Sequence, residues 1–379
     1  MMSDHMPAPE IIPEGQTLWE TDRQPTGCSY CQRIYLIKIE DHGAVCPLCG
    51  RGTLEAQPAY IRRTNPERLL PFRISRDALQ PIYQRFISPV WIKPRELNPE
   101  TLLRNTRPVF WPLWLVDSDV SGHWQMEAGF DYQVETAQEV YAQDGWRSRK
   151  KIETRVRWEP RVGQLNTRVD NVITPALEEY KNRLKMTGPY QLDTGIDFNP
   201  ALLENAFLEL PDLSPEAAWP LAKPDFGRPL AELCQAASGA QHTREFNLQA
   251  EFANQNWTEF FLPLYATHYR DDAGEPQVLI VNAETGAIQG PRLASRQRGN
   301  QIAGVIGAIA GGLFLLTLIC LLLNTIFPPA GLIAGLSGFL GLIAGILAIV
   351  VVAWPGQWNR NQTGPRLAER KPFEANREL

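Results

Sequence analysis

Basic charge is the first thing in short supply. The 379 residues carry 37 Lys and Arg against 42 Asp and Glu, a formal net charge of −5. Neutralising phosphates needs a net basic surface, so a general nucleic-acid binder is not expected. Cysteine is scarce too: six in the chain are too few for a disulfide scaffold of this length. Several catalytic motifs are missing altogether. There is no Gly-x-x-x-x-Gly-Lys-Ser/Thr loop to cradle a nucleotide, no His-Glu-x-x-His and no Gly-x-Ser-x-Gly. The five histidines are scattered, and no enzyme chemistry is expected. The sharpest absence is local: residues 302–353 contain no charged side chain, which excludes a wholly soluble protein.

That stretch reads IAGVIGAIAGGLFLLTLICLLLNTIF, then Pro328-Pro329, then AGLIAGLSGFLGLIAGILAIVVVAW. Each run has about 25 residues where a bilayer needs about 20, so two spans joined by a turn over Asn324–Pro329 are predicted, a transmembrane α-hairpin at 302–353. Arg292, Arg296 and Arg298 precede it; Arg360, Arg366, Arg370 and Lys371 follow; the turn is uncharged. The positive-inside bias then places both termini in the cytoplasm, with 354–379 as a cytoplasmic tail and the inner (plasma) membrane as the location. Trp354 and Trp358 stand where indoles favour the interface. The first 20 residues are acidic, contain proline and have no apolar core, so no signal peptide is expected and 1–25 reads as a flexible tail. Small residues recur four apart at Gly304/Ala308, Gly307/Gly311, Gly331/Gly335, Ala334/Gly338 and Gly341/Gly345. Such spacing lets helix backbones approach closely, either within the hairpin or, through a second face, in a homo-oligomer. No acidic, basic or imidazole group lies inside the spans, so an ion pathway has no support.

Four of the six cysteines form a pattern: Cys28-Ser-Tyr-Cys31, fourteen residues, then Cys46-Pro-Leu-Cys49-Gly50. Two Cys-x-x-Cys knuckles at the ends of a short hairpin supply four thiolates to a tetrahedral ion, the pattern of a zinc ribbon at 26–54. Four cysteine ligands leave no open coordination position, so the zinc is expected to be structural; four sulfurs also suit iron, and that alternative stays open. Gly50 suits a backbone position with positive φ. His42 falls in the hairpin turn and is expected outside the ligand set. Cys234 and Cys320 are expected to be buried small hydrophobes. A reduced thiolate site agrees with the cytoplasmic side that flanking charge assigns.

Between ribbon and membrane the pattern is α+β. A linker over 55–68 leads to a short strand at Leu69–Ile74, then a helix capped by Ser75 and running to about Phe86, which Pro81 would shorten or kink. Pro89, Pro94 and Pro99 punctuate an extended connector containing Trp91. An aromatic strand covers Val109–Val116, with turn signals at Ser121-Gly122, a further loop closed by Gly145, and an alternating strand from Arg149. Lys150, Lys151, Arg155, Arg157 and Arg161 make that strand locally basic, a solvated face or, alternatively, a surface for an anionic partner or lipid headgroups. Helices are predicted over 174–186, 214–222 and 229–238, and strands over FNLQAEF, WTEFFLPLYATHYR and Val278–Val281, with a turn at Asp271–Gly274. Phe110–Asp117 echoes Phe261–His268, which suggests two similar halves, 66–170 and 171–291. His123 and His268 each follow an echo strand, and Asp117 and Asp119 lie two apart, but none has a partner motif that would make it a site.

Together these blocks carry a resemblance. LLPFRISRDAL, VFWPLWLVDSDVSG and FFLPLYATHYRDDAGEPQVLIVNAETGAIQG, in that order between an N-terminal ribbon and two C-terminal spans, resemble a family of bacterial membrane proteins with a ribbon of the transcription-factor-IIB type. The resemblance covers about residues 26–355. Members are often labelled relatives of a primosomal helicase, and some are thought to anchor phage-shock-type and SPFH (flotillin-like) membrane-stress proteins. The resemblance implies no catalytic residues; Cys28, Cys31, Cys46 and Cys49 are the site residues it carries over. The expectation is a non-enzymatic membrane adapter whose ribbon meets a protein partner at the cytoplasmic face. The alternative is nucleic-acid binding in replication or transcription through the ribbon, whose basic residues are Arg33, Lys38 and Arg51.

Overall fold

A computed structural model describes residues 9–15, 18–19, 21–142, 145–203 and 205–362. The fold is mixed α+β with one large sheet and two long apolar helices at the C-terminus. The strands are β1 (Glu10–Ile12), β2 (Arg23–Cys28), β3 (Ile34–Lys38), β4 (Leu54–Ala56), β5 (Ala59–Ile61), β6 (Arg68–Leu69), β7 (Arg107–Ala142), β8 (Gly145–Pro175), β9 (Ile196–Asp197), β10 (Phe207–Glu209), β11 (His242–Arg270), β12 (Pro276–Asn282) and β13 (Ile288–Gln289). The helices are α1 (Leu79–Ile87), α2 (Pro99–Asn105), α3 (Tyr180–Thr187), α4 (Pro215–Ala222), α5 (Gly227–Ser238), α6 (Arg296–Leu323) and α7 (Ala330–Arg360).

The chain divides into two compact units, and the division cuts β7 after Trp111 and β11 after Phe260. The first unit comprises Pro112–Glu178 and Pro211–Phe260 of the described chain. In it β7 and β8 pair antiparallel from Leu113↔Pro175 to Ala142↔Gly145, with an irregularity between Val116 and Ser118. Trp114, Val116, Val120, Val169, Val172 and Trp257 bury one face of this ladder against Ala218, Phe226 and Leu230 of the α4–α5 region. Ser214 caps α4 by accepting from the Ala217 N–H, and Pro215 follows at the first helical position, where no donor is needed. Cys234 is buried beside Trp124 and Met126, as a small hydrophobe would be.

The second unit holds Pro9–Trp111, Glu179–Leu210 and Phe261 onward. Its strands run β13-β12-β11-β7-β10-β3-β2-β4, so the strands β2, β3 and β4 that flank the cysteine turns extend the main sheet rather than standing apart. The link is β10, parallel to β7 at Phe207↔Val109 and antiparallel to β3 at Leu208↔Leu36. Phe110, Leu36, Leu208 and Phe261 form the centre of the core on one side. Tyr83, Tyr269, Leu279 and Val281 form another, beneath α1 and α2.

Several expectations are corrected. From residue 9 the supposed tail 1–25 belongs to the fold: β1 pairs with β5, and Trp19 is buried in the core with its indole N–H on the carbonyl of Thr64. The halves 66–170 and 171–291 are not the two units, because the echo strands themselves cross the boundary or lie on one side of it. Ser121-Gly122 is not a turn. Gly122 pairs with Leu165 in mid-strand, and a Cβ there would fall 2.2 Å from the Gln249 carbonyl oxygen, so the glycine admits a neighbouring backbone. Thr174 and Pro175 end β8, and the helix expected from 174 starts at Tyr180. The strand at Leu69–Ile74 shortens to Arg68–Leu69, since Pro71 offers no donor. Helix α1 starts at Leu79 with no side-chain cap from Ser75, and Pro81 causes no kink because it lies in the first turn, where N–H groups have no intrahelical acceptor. Helix α2 was not expected; Asn98 caps it through the Thr101 N–H ahead of Pro99.

Helices α6 and α7 are long and apolar enough to cross a membrane, with mean hydropathy 2.6 in each. They are joined through Asn324–Pro329 and pack against each other along small residues. A Cβ on Gly341 would lie 3.3 Å from the Leu313 Cβ, one on Gly338 would lie 3.3 Å from Thr317, and Thr317 hydrogen-bonds Ser337 at 2.8 Å. Gly304, Gly307, Gly311, Gly335 and Gly345 have nothing within 4 Å of such a Cβ. The small residues therefore fall into two sets, one at the helix contact and one facing outward. Gly341→Leu is expected to cost about 1–3 kcal/mol by overpacking, whereas Gly345→Leu should leave the thermal midpoint of the detergent-solubilised chain unchanged.

Candidate metal centre

Strand β2 delivers Cys28, and the tight turn after it returns Cys31 beneath it. Cys28 N–H donates to the Arg33 carbonyl at 2.9 Å, Gln32 N–H to the Cys28 carbonyl at 3.0 Å, and Cys31 N–H to the Cys28 sulfur at 3.4 Å. The second knuckle closes in the same way. Gly50 N–H donates to the Cys46 carbonyl at 2.9 Å, and Gly50 has φ +66°, the left-handed geometry its type anticipates. Gly52 is a further requirement that the cysteine spacing does not reveal. A Cβ there would sit 2.5 Å from the Cys28 sulfur and 2.7 Å from the Tyr30 nitrogen.

The four sulfurs lie within 4.8 Å of one another, with Cys28–Cys49 at 3.6 Å and Cys31–Cys46 at 3.7 Å. A tetrahedron of thiolates at about 2.3 Å from a central ion has edges of about 3.8 Å, whereas a disulfide brings sulfurs to about 2.05 Å. The donor set thus fits a metal ion and not a pair of disulfides. Hydrogen bonding from Cys28, then Cys46, pulls the Cys31 thiol down to about 6, while its neighbours hold Cys46 well above the ordinary thiol range. Cys49 is likewise pulled down, by hydrogen bonding from Cys28 and then Cys31, while Cys28 is held up with Cys46; the thiolate repulsion behind this split is what a bound cation would relieve. Tyr35, wholly buried, has its hydroxyl 3.5 Å from the Cys46 sulfur. Burial, then the Cys46 sulfur, raises its phenol well above the usual range, so it remains an O–H able to donate to a thiolate.

Arg33, two residues past Cys31, enters a buried ion quartet. Its Nη2 meets Glu179 Oε2 at 2.7 Å and its Nε lies 3.4 Å from Glu209 Oε1. Arg183 Nη1 meets Glu209 Oε2 at 2.8 Å, and Arg183 also bonds Glu179. No side chain of the four is more than 5% exposed. Burial pushes the Glu179 carboxyl up, but Arg183 and then Arg33 outweigh it and hold it down at about 2. None of this follows from spacing, because the partners are 26 to 176 residues apart except for the i,i+4 pair.

The remaining candidates are placed as follows. His42 is half-buried outside the sulfur cluster. Asp117 and Asp119 both meet Arg168, and Asp119 also accepts from Asn254, so they form an ion-pair network. His123 pairs across its ladder with Gln164, and His268 with Val278. The basic residues of β8 are largely matched by acids: Lys150 with Glu135, Lys151 and Arg155 with Glu153, Arg157 and Arg161 with Glu159. Cys320 is buried against Ala330 and Ala334. Arg366, Arg370 and Lys371 lie outside the described residues. Compared with protein-family models, curated proteins and solved structures, the chain matches none.

Two outcomes follow from the site. Cys31→Ser should abolish stoichiometric metal in the purified chain, read by elemental analysis, while Cys234→Ser leaves it unchanged. Glu179, depressed from about 4.5 to about 2, contributes about 3 kcal/mol that is present above pH 4.5 and lost as pH falls through 2. The difference in melting temperature between wild type and Glu179→Gln should therefore be largest near neutrality and shrink progressively below pH 4.5.

Proposed function

We propose that the protein is a membrane-anchored adapter of the inner membrane. Helices α6 and α7 cross the bilayer as a hairpin with both termini in the cytoplasm, and the four cysteines hold a structural zinc ion. The ribbon and the sheet it extends present a docking surface to a cytoplasmic protein partner, of which phage-shock or SPFH-type membrane-stress proteins are the class the family resemblance suggests. Function is recruitment: holding the partner at the membrane raises its local concentration. The observation that carries this reading is a pair of apolar helices of spanning length in the same compact unit as a four-cysteine centre whose ligand positions are all cysteine. Such a centre staples a fold and offers no open position for a substrate. Zinc is favoured over iron by its use in closed four-cysteine ribbons.

The nucleic-acid reading has less support, because the three cations of the ribbon are engaged. Arg33 is buried in the quartet, Lys38 meets Asn205 and Glu40, and Arg51 pairs with Glu275 at 2.7 Å.

Two measurements test the proposal. A tag placed between Asn324 and Pro329 should be reachable only from outside the inner membrane. Crosslinking in native membranes should capture a partner with the wild type and lose it with Cys28→Ser. A cytoplasmic tag, or a partner unaffected by loss of the metal, would contradict it.

A further inference from the structure

Three prolines, Pro89, Pro94 and Pro99, hold a connector whose neighbours in space are some 200 residues away in sequence. Ile92 is buried against Ala303 of α6 and Val351 of α7. Its carbonyl accepts from the Ser295 N–H at 2.8 Å, and the Lys93 carbonyl accepts from Arg298 at 2.9 Å. Trp91, beside it, is 61% exposed and meets Trp354 edge-on at 5.8 Å, and Trp354 stacks on Trp358 at 5.2 Å. The Trp358 indole N–H is fixed on the Arg292 carbonyl at 2.6 Å. Three indoles thus cluster at one end of the helix pair, the end at which α6 begins and α7 finishes.

The same end gathers cations. Arg292, Arg296 and Arg298 lead into α6, Arg360 closes α7, and Lys93 and Arg95 come from the connector. Among the described residues none of the six has a carboxylate partner. Two acids adjoining these residues bond backbone and hydroxyl groups instead: Asp272 accepts from the Ser295 hydroxyl and the Gln297 N–H, and Glu96 accepts from the Arg270 N–H. Along β8, by contrast, Lys150 is matched by Glu135 and Arg157 by Glu159. Unmatched cations interleaved with indoles suit one surface, the headgroup layer of a bilayer containing anionic phospholipid, where indoles partition and phosphates supply the missing charge.

We propose that the 88–98 connector is a lipid-recognition element: Trp91 inserts at the headgroup level beside Trp354 and Trp358, while Lys93 and Arg95, with Arg296, Arg298 and Arg360, bind anionic phospholipid headgroups. This rests on the helix pair crossing the bilayer, as proposed above, and adds that the cytoplasmic unit reads lipid charge through a segment distant from the spans in sequence.

The test uses the full-length chain in mixed micelles containing phosphatidylcholine or phosphatidylglycerol, with retained lipid counted by native mass spectrometry at low ionic strength. The wild type should retain phosphatidylglycerol preferentially. Lys93→Gln/Arg95→Gln should lower that preference by roughly fivefold per cation, and Arg296→Gln, at an exposed position, by a similar single step. Trp91→Ala should lower retention of both lipids. Equal retention by the wild type overturns the inference, as does an undiminished preference in all three cation-deficient positions. Displacement of the lipid by inorganic phosphate would assign the cations to free phosphate and overturn it too. Carbonate extraction of native membranes separates the two proposals: a chain that stays in the membrane without lipid preference fails this inference alone, and one that is extracted fails the anchor as well.

Discussion

Two guanidinium groups and two carboxylates, shut away from water, set the terms on which the second unit packs. Arg33 and Arg183 each reach both Glu179 and Glu209, so the quartet is neutral only when complete. Removing one member strands a buried charge, at a typical cost of about 3–5 kcal/mol. The four come from three places: the turn after the first cysteine knuckle, the start of α3, and β10. The quartet therefore fixes that turn against the sheet. Cys31, Arg33 and Tyr35 alternate along the chain and all point inward. The first belongs to the four-cysteine cluster, the second to the ion quartet, and the third reaches the Cys46 sulfur. The four-cysteine cluster and the ion quartet thus share one short segment.

The four cysteines and the two apolar runs were legible in the sequence because both signals are local. A Cys-x-x-Cys knuckle places two sulfurs by its own turn geometry, and a span declares itself by length and lack of charge. Helices α4 and α5 were read nearly to their ends, since Ser214-Pro215 and the apolar periodicity are also local. What escaped depends on contacts far apart in sequence. Gly122 looked like a turn because a glycine that admits a neighbouring strand and one that bends the chain are the same letter. Arg33 counted among the ribbon's basic residues because its partners at 179 and 209 are not visible from position 33. The two units could not be read at all: each is assembled from segments separated by more than 30 residues, and β7 and β11 pass from one to the other without a break in their strand pattern. Helix α2 was missed for a different reason. Its cap, Asn98, stood among prolines that read as an extended connector, although proline at the first helical position is a start signal.

The helix pair illustrates how small residues divide their work. Gly338, Gly341 and Ala334 allow α6 and α7 to touch, and the Thr317–Ser337 hydrogen bond satisfies both hydroxyls where no water is expected. At the other end of the pair, Pro355 removes the N–H that the Val351 carbonyl would have received. Gly299 of α6 lies against both, 3.2 Å from that carbonyl for a Cβ placed there. Close approach at that level brings Ser295 to Ile92 and Asn359 to the backbone of Ala294, which anchors the connector on both helices.

A connector of that construction has a physical consequence. Prolines at 89, 94 and 99 restrict the unfolded chain, so holding Trp91 outward costs less entropy than it would in a flexible loop. A large indole left in water would be a liability in a soluble protein, and so would the Leu and Ile side chains that α6 and α7 expose along their length. Both cease to be liabilities in the same environment: hydrocarbon for the helices and headgroups for the indole. The cations at that end follow the same logic. In water they would repel one another without a direct carboxylate pair among the described residues, whereas at an anionic surface each gains a phosphate neighbour. A bilayer would account for the apolar helices, the exposed tryptophan and the unmatched charge together, and all three lie in the compact unit that carries the four-cysteine cluster.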